Sequence, residues 1–84
     1  MGKPRWSVIR AVPREDYTIE VEFYDGKTGI YDAKPLLEYK VYAPLKRLPF
    51  FLTAHVEYGT IVWNDDLDVA PERVYDECRA SAEA

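Results

Sequence analysis

Five acids gather in one short stretch of this chain: Asp65, Asp66, Asp68, Glu72 and Asp76. Carboxylates that close together are the usual raw material for a hard-cation site, since Ca²⁺ takes about six to eight oxygens. The spacing is wrong for that chemistry. An EF-hand loop alternates its acids around a central glycine, whereas these run adjacent and then skip, with no glycine among them. Asp68 also has a sufficient structural task, as the N-cap of a helix that Pro71 opens. No metal site is expected from the cluster.

The other reactive side chains are solitary. His55 is the one histidine and Cys78 the one cysteine, while the serines are Ser7 and Ser81. A general base needs a nucleophile or substrate proton within reach, and the chain offers His55 no such partner. A reactive thiol needs basic neighbours or a helix N-terminus. Cys78 has only Arg79 nearby and sits toward the far end of the expected helix. One Cys and one His supply none of the usual zinc ligand sets. The expectation is a non-enzymatic chain without catalytic residues, metal or cofactor; a small metal-dependent enzyme using Asp65, Asp66, Asp68 or His55 is the remote alternative.

Those residues are carried by elements that the sequence marks out. Residues 6–12 read as a first strand ended by Pro13. Residues 17–24 read as a second, because Tyr17, Ile19, Val21 and Phe23 alternate with Thr18, Glu20 and Glu22, the period of a half-buried strand. Asp25 and Gly26 then form a tight-turn signal. A two-residue turn there sets Phe23 opposite Thr28, Val21 opposite Ile30 and Ile19 opposite Asp32. Val21 and Ile30 would share the core face, and Glu20 and Tyr31 the other. A second hairpin over residues 53–63 turns at Tyr58 and Gly59. It sets Val56 opposite Ile61 and Ala54 opposite Trp63 on the core face, with His55 and Val62 behind. The last element is a helix over residues 69–80, with Glu72 near its positive end and Val74, Tyr75 and Cys78 as its apolar stripe.

Residues 34–52 are less regular. Pro35 opens a short helical turn, and Pro44 and Pro49 forbid a long helix. One short turn is expected around residues 44–47, with Val41, Leu45, Leu48, Phe50 and Phe51 covering an end of the sheet. The fold class that follows is α+β: a small, mostly antiparallel sheet of about five strands, two hairpins plus an N-terminal strand, with a C-terminal helix packed on it. Residues 1–84 form a single domain with an ordered core at about 6–79 and frayed ends.

Eighty-four residues with 15 Asp and Glu against 11 Lys and Arg give a net charge of −4. The charge is uneven: residues 1–50 carry nine basic and seven acidic side chains, residues 51–84 two and eight. A negative chain is a poor direct binder of nucleic acid, which rests on neutralising phosphates, and no Gly-rich phosphate loop is present. Arg5, Arg10, Arg14, Lys46 and Arg47 form a basic patch only if the first strand adjoins the middle segment. No signal peptide or spanning segment is apparent, and an unpaired cysteine fits a reducing cytosol. A small core without disulfide or metal points to association as the remaining source of stability. With twelve aromatics, seven of them tyrosine, a protein contact surface is expected. Its candidate members are Glu20, Glu22, Tyr24, Tyr31, Asp65, Asp66 and Asp76. Asp25, Gly26, Tyr58, Gly59, Trp63, Asp68 and Pro71 are expected to serve the fold.

Four segments carry a family resemblance: YTIEVEFYDG at 17–26, Tyr31 to Ala33 with Pro35, Leu36 and Leu37, LKRLPF at 45–50, and IVW at 61–63 with DLDVAPERVY at 66–75. Together the chain resembles the small bacterial proteins grouped as domain of unknown function 2442, over about residues 6–76. The resemblance implies a small α+β domain, a sheet carrying a short C-terminal helix, and no established activity. Some members carry a helix-turn-helix domain after this one, and members often neighbour another small protein in a toxin–antitoxin-like arrangement. The resulting expectation is a protein–protein interaction module, homo-oligomeric or bound to a small protein and antitoxin-like. The alternative is an accessory to nucleic-acid regulation acting through a partner.

Overall fold

The computed structural model of the chain describes residues 4–64 and 67–78. It contains two three-stranded antiparallel sheets rather than one sheet of about five strands. The first holds β1 (Val8–Pro13), β2 (Thr18–Phe23) and β3 (Thr28–Asp32) in chain order. The second holds β4 (His55–Glu57), β5 (Thr60–Asn64) and β6 (Leu67–Val69), again in chain order. Between them run two 3₁₀ segments, Lys34–Glu38 and Lys40–Lys46, and the single helical turn α1 (Leu48–Phe51). The short helix α2 (Pro71–Glu77) follows β6.

The first hairpin departs from its expected register by one residue. Glu22 pairs with Thr28, Val21 with Gly29, Glu20 with Ile30 and Ile19 with Tyr31. The cause lies in the turn. The Gly26 N–H donates to the Phe23 carbonyl at 2.9 Å, and the Phe23 N–H to the Lys27 carbonyl at 2.8 Å. Gly26 stands at φ 94°. This is a three-residue loop in which a left-handed glycine forms the bulge, not a two-residue turn. Asp25 and Gly26 suit both designs, but a slip of one residue exchanges the faces of the second strand. Tyr31 is therefore a core residue, only 1% exposed. Ile30 lies on the outer face beside Glu20.

The second hairpin keeps its expected register, with His55 opposite Val62 and Val56 opposite Ile61. Tyr58 at φ 53° and Gly59 at φ 77° form the two-residue turn. β6 is the strand missed in the sequence. Leu67 and Val69 are buried while Asp68 is exposed, and Asp68 pairs with Val62. Because Asp68 belongs to that strand, it does not cap α2. The N-cap is Ala70, which makes no side-chain cap bond. Pro71 does open the helix, and Glu72 occupies its first turn.

Side chains from both sheets fill one buried cluster. Its centre includes Phe23, Tyr31, Phe51, Ile61 and Trp63. The indole N–H of Trp63 donates to the Phe51 carbonyl at 3.0 Å, satisfying a buried donor. Leu45 and Phe51 are fully buried and Leu48 and Phe50 partly so, but Val41 points outward at 63% exposure. α2 packs Tyr75 edge-on against Phe23, ring centroids 4.9 Å apart.

Candidate functional site

The solitary reactive groups turn out to be occupied locally. His55 is exposed on β4; its Nδ1 lies 3.0 Å from the Thr53 carbonyl and its Nε2 2.7 Å from a Glu57 carboxylate oxygen. Both partners favour the imidazolium, the carbonyl most, so the histidine titrates above its ordinary range. Cys78 is half-buried near the end of α2, and burial pushes its thiol up, away from reactivity. Asp65 and Asp66 lie outside the described residues. Among the described residues no group of three His, Cys, Asp or Glu side chains is placed to hold a metal ion.

The expected contact surface divides into parts. Glu20 and Glu22 do lie on the outer face of the first sheet, across from Val12 and Arg10 of β1. Glu20 is engaged there: Arg14 donates to it at 2.7 Å and Arg10 stands 3.5 Å away. The Arg14 bond holds its carboxyl below the usual range. Arg10 and Arg14 are thus partly spent on a carboxylate. Tyr24 is exposed at the first turn and Asp76 on α2. Tyr31 leaves the surface altogether, and burial pushes its phenol up to about 12.

Asp25 does more than turn the chain. Its carboxylate accepts the Lys27 N–H at 2.9 Å and the Tyr75 hydroxyl at 2.8 Å. The two bonds lower its pKa, the backbone bond most, and the Tyr75 phenol rises in turn. Lys27 completes the link, its ammonium donating to the Tyr75 carbonyl at 2.8 Å and lying 4.0 Å from that ring's centroid. The first hairpin's tip is so tied to the terminal helix.

Two tyrosines occupy left-handed backbone, where bulky side chains are rare. They differ in what holds them there. Tyr17, at φ 66°, stacks on Phe51 with ring centroids 4.8 Å apart and donates its hydroxyl to the Lys46 carbonyl at 2.7 Å. Packing thus enforces its backbone. Tyr58 is 100% exposed at the tip of the second hairpin. Beside it lies an open groove of about 620 Å³. Pro4, Ser7, Val8 and Ile9 form one wall, Val56, Tyr58 and Gly59 the other. None of these described lining residues is charged. Ile9 is the bulged residue of β1, and at 45% exposure it faces solvent.

The groove is held in shape by the backbone. Val8 donates to the Gly59 carbonyl at 2.8 Å, and Ser7 accepts the Tyr24 N–H at 2.8 Å. Gly59 has a second reason to be glycine, since a Cβ there would stand 3.3 Å from the Ser7 hydroxyl. Sequence reasoning assigned Tyr58 to the turn and missed its full exposure beside the groove. The available signal was its type: Asn, Asp or Gly normally precedes Gly in such a turn.

The four segments that carry the family resemblance fall on β2 with its turn, the end of β3 with the first 3₁₀ segment, the passage from the second 3₁₀ segment into α1, and the run from β5 to α2. The family model for DUF2442, a protein of unknown function, matches residues 8–80. The chain belongs to the DUF2442 family. That match spans every strand and helix described above and takes in the Tyr58 turn and all of the groove's lining except Pro4 and Ser7. No curated protein and no solved structure matches the chain.

Proposed function

We propose that this DUF2442 chain is a non-enzymatic protein–protein interaction module, working as a homo-oligomer or with a small protein in an antitoxin-like pairing. The observation that carries the reading is Tyr58. A left-handed non-glycine residue costs on the order of 1–3 kcal/mol and persists where something compensates it. Tyr17 has its compensation inside the fold. The Tyr58 ring is wholly exposed, so its benefit is sought outside the chain. Tyrosine is also a residue type that anchors interfaces, because it brings large contact area with few rotatable bonds. The groove beside it carries no charged lining residue, in keeping with the depletion of charge at the centre of a contact patch.

The test compares two baits in native lysate after nuclease treatment: the full chain and its Tyr58→Asn variant. Asn tolerates left-handed backbone, so the variant retains its hairpin. The reading expects one stoichiometric protein, either this chain or a small partner, retained by the first bait and lost from the second. Identical sets on both baits contradict it.

A further inference from the structure

We infer that His55 is a proton-operated clamp along β4: charged, its ring ties the Thr53 carbonyl to the Glu57 carboxylate, and on losing a proton it releases Glu57. Both groups that face the ring are acceptors. Nδ1 lies 3.0 Å from the Thr53 carbonyl and Nε2 2.7 Å from a Glu57 carboxylate oxygen. Only the imidazolium carries an N–H on each nitrogen; the neutral ring has one N–H and one lone pair. A neutral ring in this position sets a lone pair against an oxygen, so one of the two contacts must open. The partners differ in their freedom to leave. Thr53 is pinned to α1: its N–H and its hydroxyl both donate to the Phe50 carbonyl, at 3.0 and 2.7 Å, and the next N–H, of Ala54, donates to the Phe51 carbonyl at 3.2 Å. His55 itself is fixed opposite Val62 in the β4–β5 ladder. Glu57 stands at the far end of the strand with its side chain 46% exposed, able to rotate into water. The neutral ring therefore keeps its proton on Nδ1 for the carbonyl, and Glu57 swings away.

The neighbouring elements leave this pair to itself. β5 and α1 bring no ionisable side chain, and the turn between β4 and β5 adds only the exposed phenol of Tyr58. β1 brings Arg10, which is held by Glu20. Asp68 of β6 shares the outer face two strands away, with Val62 between. Among the described residues it is the charge of Glu57 that bears on His55. Release changes charge as well as contact. The clamped pair sums to zero, and the open pair carries −1 on the residue that precedes Tyr58. The hairpin tip thus becomes more negative, and its last strand residue freer, as pH rises through the His55 titration. Both bonds set that titration above the ordinary 6.5, the Thr53 bond most. The device belongs to the single chain and does not depend on what Tyr58 meets.

Nitrogen-15 NMR of the labelled full chain over a pH series tests the clamp, on the wild type, Glu57→Gln and His55→Gln. Above the ring's midpoint the wild-type imidazole should be a single tautomer with its proton on Nδ1. The Glu57 and Tyr58 amides should shift with that same midpoint, which lies above 6.5. In His55→Gln this transition should be lost from both amides; in Glu57→Gln the midpoint should fall while the Nδ1–H tautomer stays. A neutral ring protonated on Nε2 overturns the proposal, because it would hold Glu57 and let Thr53 go. So does a Glu57 amide indifferent to the ring's midpoint, or a transition that persists in His55→Gln. The tautomer is read on the unaltered chain, so it decides the matter even where a variant fails to fold.

Discussion

Single side chains set the character of this molecule through what holds them. Tyr17 and Tyr58 share an unfavourable backbone conformation, but only Tyr17 is anchored by packing inside the chain. Tyr58→Asn should therefore raise the stability of the monomer by about 1 kcal/mol in denaturant unfolding, because it relieves a left-handed tyrosine without removing a buried contact. Tyr17→Asn should destabilise, since it deletes the Phe51 stack and the Lys46 bond. At His55 the sign of the pH dependence follows from its partners. The folded histidine titrates above 6.5, so its contribution is present in full below the unfolded value and is lost as pH rises through the folded one. A proton NMR titration should place the midpoint above 6.5, and Glu57→Gln should bring it down. A midpoint at or below 6.5 contradicts the observed bonds.

At the scale of elements, the two hairpins show what a sequence can and cannot specify. The Tyr58 and Gly59 turn was legible because alternation on both sides agrees with a two-residue loop, and its register is observed. The Asp25 and Gly26 turn was legible as a turn but not in its length. Its extra residue reverses the faces of β3, turning Tyr31 inward and Ile30 outward. The consequence is measurable: Tyr31→Ala should cost about 3–5 kcal/mol and Ile30→Ala about 1 kcal/mol or less, the reverse of the order in the expected register. Gly26→Ala meets no neighbouring atom, so its cost is backbone strain alone, about 1 kcal/mol. β6 escaped notice because three residues give little period, and Asp68 before a proline imitates a helix cap. Its burial pattern, in–out–in, was the signal.

For the whole molecule, the parts illegible in sequence are those joined across the chain. Nothing local announces that Asp25 binds Tyr75, 50 residues on, or that β1 meets the second hairpin at Gly59. Those contacts build the groove and tie the tip of the first hairpin to α2. Tyr75→Phe should accordingly speed amide exchange at both Lys27 and α2, leaving β4 and β5 protected. Among the described residues no helix is long and apolar enough to cross a membrane, and the remaining large-scale feature is the uncharged groove on a chain of net charge −4. The account turns on whether that groove is where the chain meets protein. The most direct measurement is a set of amide proton–nitrogen NMR spectra of the labelled chain over a dilution series and again with unlabelled native lysate added. Shifts or broadening confined to residues 7–9 and 56–59 in one or other series, and absent in Tyr58→Asn, are the predicted result. Spectra unchanged by both dilution and lysate, or shifts centred instead on the Glu20 and Glu22 face, would contradict it.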